Sequence, residues 1–192
     1  MQRITPNMLA MVFIALFTGL GLTYYSLADG KFIGTYHLGS WTTWAKAGTP
    51  NPDPYTKAFI SLGNTLRLGR SEGIQFITQR DDNGDLLQKN CNYSISGEVP
   101  TAAFWTLRAL APDGHSITPV GANQAIHSKR ISRSNNGKAT IKVGALLADG
   151  NWLEITGEGY FELILTLYDA SVLSGFGGTI DKLPIITNEG CT

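Results

Sequence analysis

Asp81-Asp82-Asn83-Gly84-Asp85 sets oxygen donors at alternate positions, the spacing of a loop that wraps a hard cation. Gly84 is misplaced for an EF-hand, and no Glu stands twelve positions along to close the shell, so a polar hairpin tip accounts for the same letters. Glu154 with Glu158, or Glu162 with Asp169, could divide acid and base roles on a glycan if the fold brought them together. Trp105 stands near Arg108, and Trp152 follows Asn151. A flat ring beside a guanidinium or an amide can stack on a sugar and bond its hydroxyls, whereas large aromatics also fill cores. His37, His115 and His127 are too scattered for an H-x-H or H-E-x-x-H metal site. No G-x-S-x-G elbow, P-loop or dinucleotide fingerprint occurs, and the Gly-rich run Ser174 to Gly178 has no following Lys and reads as a loop. These letters imply no metal and no cofactor.

The elements that must hold such residues begin with an apolar stretch. From Ile4 to Ala28 there is no Asp, Glu, Lys or Arg, and Met8 to Leu22 is almost wholly apolar. At about 1.5 Å per residue, about 20 residues cross a hydrocarbon core of about 30 Å. Tyr24 and Tyr25 close the run where amphipathic rings favour an interface. This predicts a transmembrane anchor over residues 1–28. A cleavable signal peptide is the alternative, because Ser26-Leu27-Ala28 offers small residues ahead of Asp29. Either way residues 29–192 are exported, since Arg3 and the amino terminus favour the inner side. The expected address is the bacterial inner membrane, single pass, with the C-terminal domain in the periplasm. After signal cleavage it would be the free periplasm.

Export gives meaning to two cysteines, Cys91 and Cys191. An oxidising compartment favours a disulfide between them, and their spacing excludes a C-x-x-C or zinc-ribbon motif. Two unpaired thiols are the alternative.

Residues 29–52 read as a linker and entry segment rich in Gly and Pro, with Trp41 and Trp44 packing it on the body. Asp53-Pro54 starts one short α-helix, on which Tyr55, Phe59, Leu62 and Leu66 share a face. From Gly73 onward the hydrophobic period is two, as in Phe161, Leu163, Leu165 and Leu167. Asn83-Gly84, Asp113-Gly114, Asn136-Gly137 and Asp149-Gly150 punctuate these runs and predict type I′ hairpins. The fold class is therefore mainly β: an antiparallel sandwich, jelly-roll-like, over residues 53–192.

Charge is balanced, 15 basic against 15 acidic residues, which gives no net field for nucleic acid. It is segregated along the chain, however. Lys129, Arg130, Arg133, Lys138 and Lys142 fall in a stretch free of acids; Glu154, Glu158, Glu162 and Asp169 fall in one free of bases. A basic strip facing anionic headgroups or polysaccharide is one reading, and cross-strand pairing of opposite charges is the other.

Gly97-Glu98-Val99-Pro100-Thr101-Ala102-Ala103-Phe104-Trp105-Thr106-Leu107, Asp149-Gly150-Asn151-Trp152-Leu153 and Phe161 to Asp169 followed by Leu183-Pro184-Ile185-Ile186 resemble the bacterial domain-of-unknown-function family 1214. Asp53-Pro54-Tyr55 with Glu72-Gly73 is similar to its short exported branch. The resemblance implies a β-sandwich in the cell envelope and no established activity. It also implies a companion envelope protein of the 1254 type as a partner. Larger relatives carry an Arg in the strand that here reads Leu165-Thr166-Leu167. Resemblance and chemistry converge on Trp105, Arg108, Asn151, Trp152 and Tyr168 as ligand-binding candidates, with no catalytic residue assigned. The expected role is a non-catalytic binding or interaction module; a hydrolase or other small-ligand enzyme acting on an envelope glycan is the alternative.

Overall fold

A computed structural model describes residues 6–29, 35–44, 51–52, 54, 56–57, 61, 68, 72–135, 138–170 and 182–191. The apolar run forms α1 (Pro6–Asp29), whose Pro6–Tyr25 portion is long and apolar enough to cross a membrane and is exposed throughout. Its two threonine hydroxyls are satisfied within the helix: Thr18 Oγ1 donates to Ile14 O at 2.7 Å, and Thr23 Oγ1 to Gly19 O at 2.8 Å. A polar atom in hydrocarbon needs such an internal partner. The short helix expected after Asp53 falls mostly outside the described residues. Those described there, Pro54, Thr56, Lys57 and Ser61, are helical.

The body is a two-layer β-sandwich. Strands β1 (Thr35–Leu38), β2 (Trp41–Trp44), β3 (Gly73–Thr78), β5 (Ala102–Leu110), β6 (Ile126–His127) and β9 (Glu162–Ala170) form a six-stranded sheet in the order β1-β2-β3-β9-β5-β6. Strands β4 (Cys91–Gly97), β7 (Ala139–Gly144), β8 (Asn151–Glu154) and β10 (Ile185–Cys191) form a second sheet in the order β10-β4-β7-β8. A 3-10 turn, η1 (Ser128–Arg130), follows β6. Alternation decides which face is buried: Phe76, Trp105, Leu107, Leu163, Leu165 and Leu167 of the first sheet meet Tyr93, Ile95, Ile141, Val143, Leu153 and Ile186 of the second in one core. The entry segment is less of a linker than its glycines suggest. Thr35 to Trp44 is a hairpin added to β3, and Trp41 is buried with its Nε1 donating to Pro184 O at 2.7 Å.

Two expectations about turns need correcting. Gly84 N donates to Asp81 O and Asp81 N to Asp85 O; Gly114 N donates to Ala111 O and Ala111 N to His115 O. Each is a type I turn followed by a left-handed glycine, with φ +92° at Gly84 and +85° at Gly114. Type I′ would need positive φ at Asn83 and Asp113 too, whereas among the described non-glycine residues only Asp169 has it. Asn136-Gly137 lies outside the described residues. Asp149-Gly150 makes no hairpin: β7 and β8 pair in parallel, Ile141 beside Asn151 and Val143 beside Leu153. Parallel neighbours usually need a long crossover. Here β8 has four residues, so residues 145–150 need only step back about 10 Å along the strand.

The cysteines form a disulfide, Cys91–Cys191, across a sequence separation of 100 residues. The two stand directly opposite each other in the β4–β10 pair.

Candidate functional site

The five candidate ligand residues do not converge on one place. Trp105 is on β5 facing the core, 4% exposed. Arg108 is exposed on the opposite face of the same strand, opposite Ile164. Tyr168 shares that outer face but pairs with Phe104, four residues along, or about 13 Å at the usual strand rise. Its ring lies 5.7 Å from Phe104, which lies 5.6 Å from His127. Asn151 and Trp152 belong to the other sheet, on β8.

Asn151 is buried, and its amide is fully engaged. Its Oδ1 accepts from Ser132 N at 2.6 Å, and its Nδ2 donates to Ser132 O at 2.7 Å and Thr140 O at 3.0 Å. It thus clamps the chain between η1 and β7 onto β8.

Trp152 is different. It is half-buried, and its Nε1 donates to Gly144 O at 3.2 Å, so the ring lies under the 145–150 return. It lines a groove of about 400 Å³ together with Tyr93, Lys142, Leu146, Leu147 and Glu189. Leu146 and Leu147 stand 57% and 83% exposed. Lys142 and Glu189 form an ion pair that reaches from β7 across β4 to β10. The groove therefore offers an aromatic ring, two leucines and a paired cation and anion. Sequence reading finds Trp152 but passes over Gly144 to Ala148, an apolar run bounded by turn residues where a loop is ordinarily polar.

Tyr93 is fully buried between groove and core, edge-on to Phe161 at 5.8 Å, and its hydroxyl accepts from Gln88 N at 2.8 Å. Burial holds its phenol above the ordinary value; donation by Gln88 N–H acts in the opposite sense, and Asp81 and Asp85 add to the rise. A raised folded pKa means the folded state keeps the proton longer. The stability this contributes is complete below about pH 10 and is lost as pH rises through the folded value. Urea unfolding from about pH 8 to about pH 11.5 is expected to show stability falling above about pH 10. In Tyr93→Phe that slope should be shallower, with a baseline lower by about 1–2 kcal/mol because Gln88 N–H loses its acceptor. An unchanged slope would rule Tyr93 out as its source.

The calcium-like run is a turn. Asp81 is buried, and its Oδ1 accepts from Asn83 N and Asp85 N, both at 3.0 Å, so the carboxylate organises the tip from inside. Asp82 bonds the backbone of Ile186 through both its amide and its carboxylate, tying the tip to the outer edge of β10. Among the described residues, no three His, Cys, Asp or Glu side chains group as metal ligands. Glu162 begins β9 and Asp169 nearly ends it, which separates them by about 20 Å at the strand rise. Two carboxylates that share a glycosidic bond stand at most about 10 Å apart. Asp113 is exposed, and a hydrogen bond from His115 N at 3.1 Å, then the His115 ring, hold its carboxyl below the usual range. That local contact lies at a hairpin tip.

A two-sheet sandwich of this order places the chain among all-β domains. Its sequence matches the family described as "Protein of unknown function (DUF1214)" over residues 72–172, and the chain belongs to that family. No curated protein matches it. The crystal structure of the VPA0106 protein from Vibrio parahaemolyticus is similar over 98% of this chain and 47% of its own, at 17% identity and a TM-score of 0.60. An uncharacterised protein from Burkholderia cenocepacia aligns over 97% of this chain and 44% of its own, at 16% identity and a TM-score of 0.47. The chain thus spans about half the length of these solved structures.

Proposed function

We propose that this protein is a membrane-anchored, periplasm-facing binding module without catalysis, whose contact site is the groove beside Trp152. The observation that carries the reading is the exposure of Leu146 and Leu147 over a half-buried tryptophan. Exposing two adjacent leucines costs solvation free energy, and a binding surface is a common reason for keeping such a patch. The anchor rests on α1, whose apolar surface meets no other part of the chain among the described residues. The partner in this reading is a companion envelope protein of the 1254 type, lodged against the exposed leucines of the groove.

Two measurements test this. A phosphatase fused after Thr192 should be active in the periplasm; an inactive, well-expressed fusion would refute export. A thermal-shift screen of the full chain in detergent, against envelope oligosaccharides and the purified companion protein, should give at least one stabilising hit. Binding at a hundredfold excess over Kd adds about 2.7 kcal/mol. The hit should disappear in Trp152→Ala, and a hit unaffected by that change would move the site elsewhere.

A further inference from the structure

The six-stranded sheet has two chemically unlike ends. At one end β3 and β5 begin and β9 finishes, as the pairs Gly73–Tyr168 and Ala102–Ala170 show. The turn η1 lies toward the same end, its Ser128 Oγ accepting from Trp105 N. Here Lys129, Arg130, Arg133, Lys138 and Lys182 are exposed, with Glu72, Glu98 and Asp169 as the acids among the described residues. At the opposite end, the hairpins after β3 and β5 and the connection into β9 expose Asp82, Asp85, Asp113 and Glu158, with Arg80, the half-buried Lys89 and Arg108 near the end of β5 as bases. Cross-strand neutralisation does not explain the split. Lys142, the member of the basic stretch that lies within a strand, pairs with Glu189, which is outside the acidic stretch. Lys129, Arg130, Arg133 and Lys138 lie off the strands.

The basic end is also the end from which the chain arrives. β1 runs away from it, Thr35 level with Trp44 and Leu38 level with Trp41. Only residues 30–34 separate Thr35 from the end of α1, a reach of about 20 Å even if fully extended. A tether this short lets the basic end meet the membrane surface directly. A negative surface attracts Lys and Arg within about one Debye length and repels the acidic end, so the two ends act together.

We propose that the basic end of the sandwich docks on anionic phospholipid headgroups of the membrane that α1 crosses. Docking leaves the acidic end outward, and with it the start of β4, where Asn92 and Tyr93 line the Trp152 groove. The inference rests on the anchoring role of α1 proposed above.

Hydrogen exchange of the full chain in lipid nanodiscs tests it, comparing neutral phosphatidylcholine with discs containing about a third phosphatidylglycerol. Protection of α1 in both discs reports anchoring by itself. With α1 protected, peptides covering 128–138 should exchange several-fold more slowly in the anionic discs at about 0.05 M salt, and the difference should vanish at about 0.5 M, where the Debye length falls below about 5 Å. Lys129→Glu with Arg130→Glu should abolish the difference, Lys129→Gln with Arg130→Gln should reduce it, and unchanged protection of β9 shows that either variant is folded. The hairpins at 79–87 and 110–116 should not respond. Equal exchange of 128–138 in both discs with α1 protected overturns docking and leaves the anchor standing. Slowing by a soluble anionic oligosaccharide but not by anionic lipid assigns the patch to polysaccharide and overturns it as well. Loss of α1 protection removes the anchor and the docking together.

Discussion

Cys191→Ser is expected to lower the free energy of unfolding by about 3–5 kcal/mol, among the largest losses from any single substitution in this chain. The bond closes a loop of 100 residues, for which the chain-entropy account gives about 4.7 kcal/mol. The native state should otherwise change little. Cys191 is exposed, and β10 keeps its ladder to β4 and the Asp82 clamp on Ile186. At roughly 2–4 °C per kcal/mol for a domain of this size, the melting temperature should fall by about 10 °C. Cys91→Ser should cost more than Cys191→Ser, because Cys91 is 1% exposed and a buried hydroxyl without a partner adds about 1–3 kcal/mol. Guanidinium unfolding of both variants beside the oxidised protein measures these losses. A deficit under about 1 kcal/mol for Cys191→Ser would mean that strand pairing alone restrains β10 and that the unfolded chain is already compact.

Asn151→Ala should cost about 3–5 kcal/mol, a loss that its side-chain volume would not suggest. The substitution removes three hydrogen bonds and leaves Ser132 N, Ser132 O and Thr140 O without their partner on β8. Asn151→Asp is the sharper variant. It keeps the acceptor for Ser132 N but turns a carboxylate oxygen toward two carbonyl oxygens, so at neutral pH it should be at least as damaging as alanine. Below about pH 4 the introduced carboxyl takes up a proton and regains one donor, and the gap between Asn151→Asp and the unaltered protein should narrow. Urea unfolding of the three proteins at about pH 7 and about pH 3.5 decides the matter. If Asn151→Ala kept its stability and lost only binding in the ligand screen, the clamp role would be wrong.

The two predictions turn on residues whose roles are unequally visible in the sequence. The cysteines are legible because two thiols, together with the oxidising compartment expected from the apolar helix, suggest a bridge. Asn151 reads as a sugar contact because it precedes Trp152. Its partners lie 19 and 11 residues away, and a side-chain bond to remote backbone leaves no periodic trace. The turn at Asp81 is legible as a polar tip, but the direction of its carboxylate is not, since the same alternation suits a cation or backbone amides. The Asn-Gly and Asp-Gly pairs mark chain reversals correctly at Gly84 and Gly114. They do not reveal that only the glycine takes positive φ.

Local and compositional rules were enough for the membrane-length helix, the two-layer β class, the alternation that buries Leu163, Leu165 and Leu167, and the disulfide. A charge-free run, a period of two and two thiols behind an export-type helix carry these features. Four others emerged with the assembled sandwich. β7 and β8 run parallel, Trp105 and Trp152 end on different sheets, and Leu146 and Leu147 stand exposed over a groove. Among the described residues, exposed bases outnumber acids at one end of the sandwich, and exposed acids outnumber bases at the other. The physical reason is the same for all four. Each depends on which strands become neighbours, and pairing between distant segments is settled by the packing of the whole core, which no local stretch of sequence encodes.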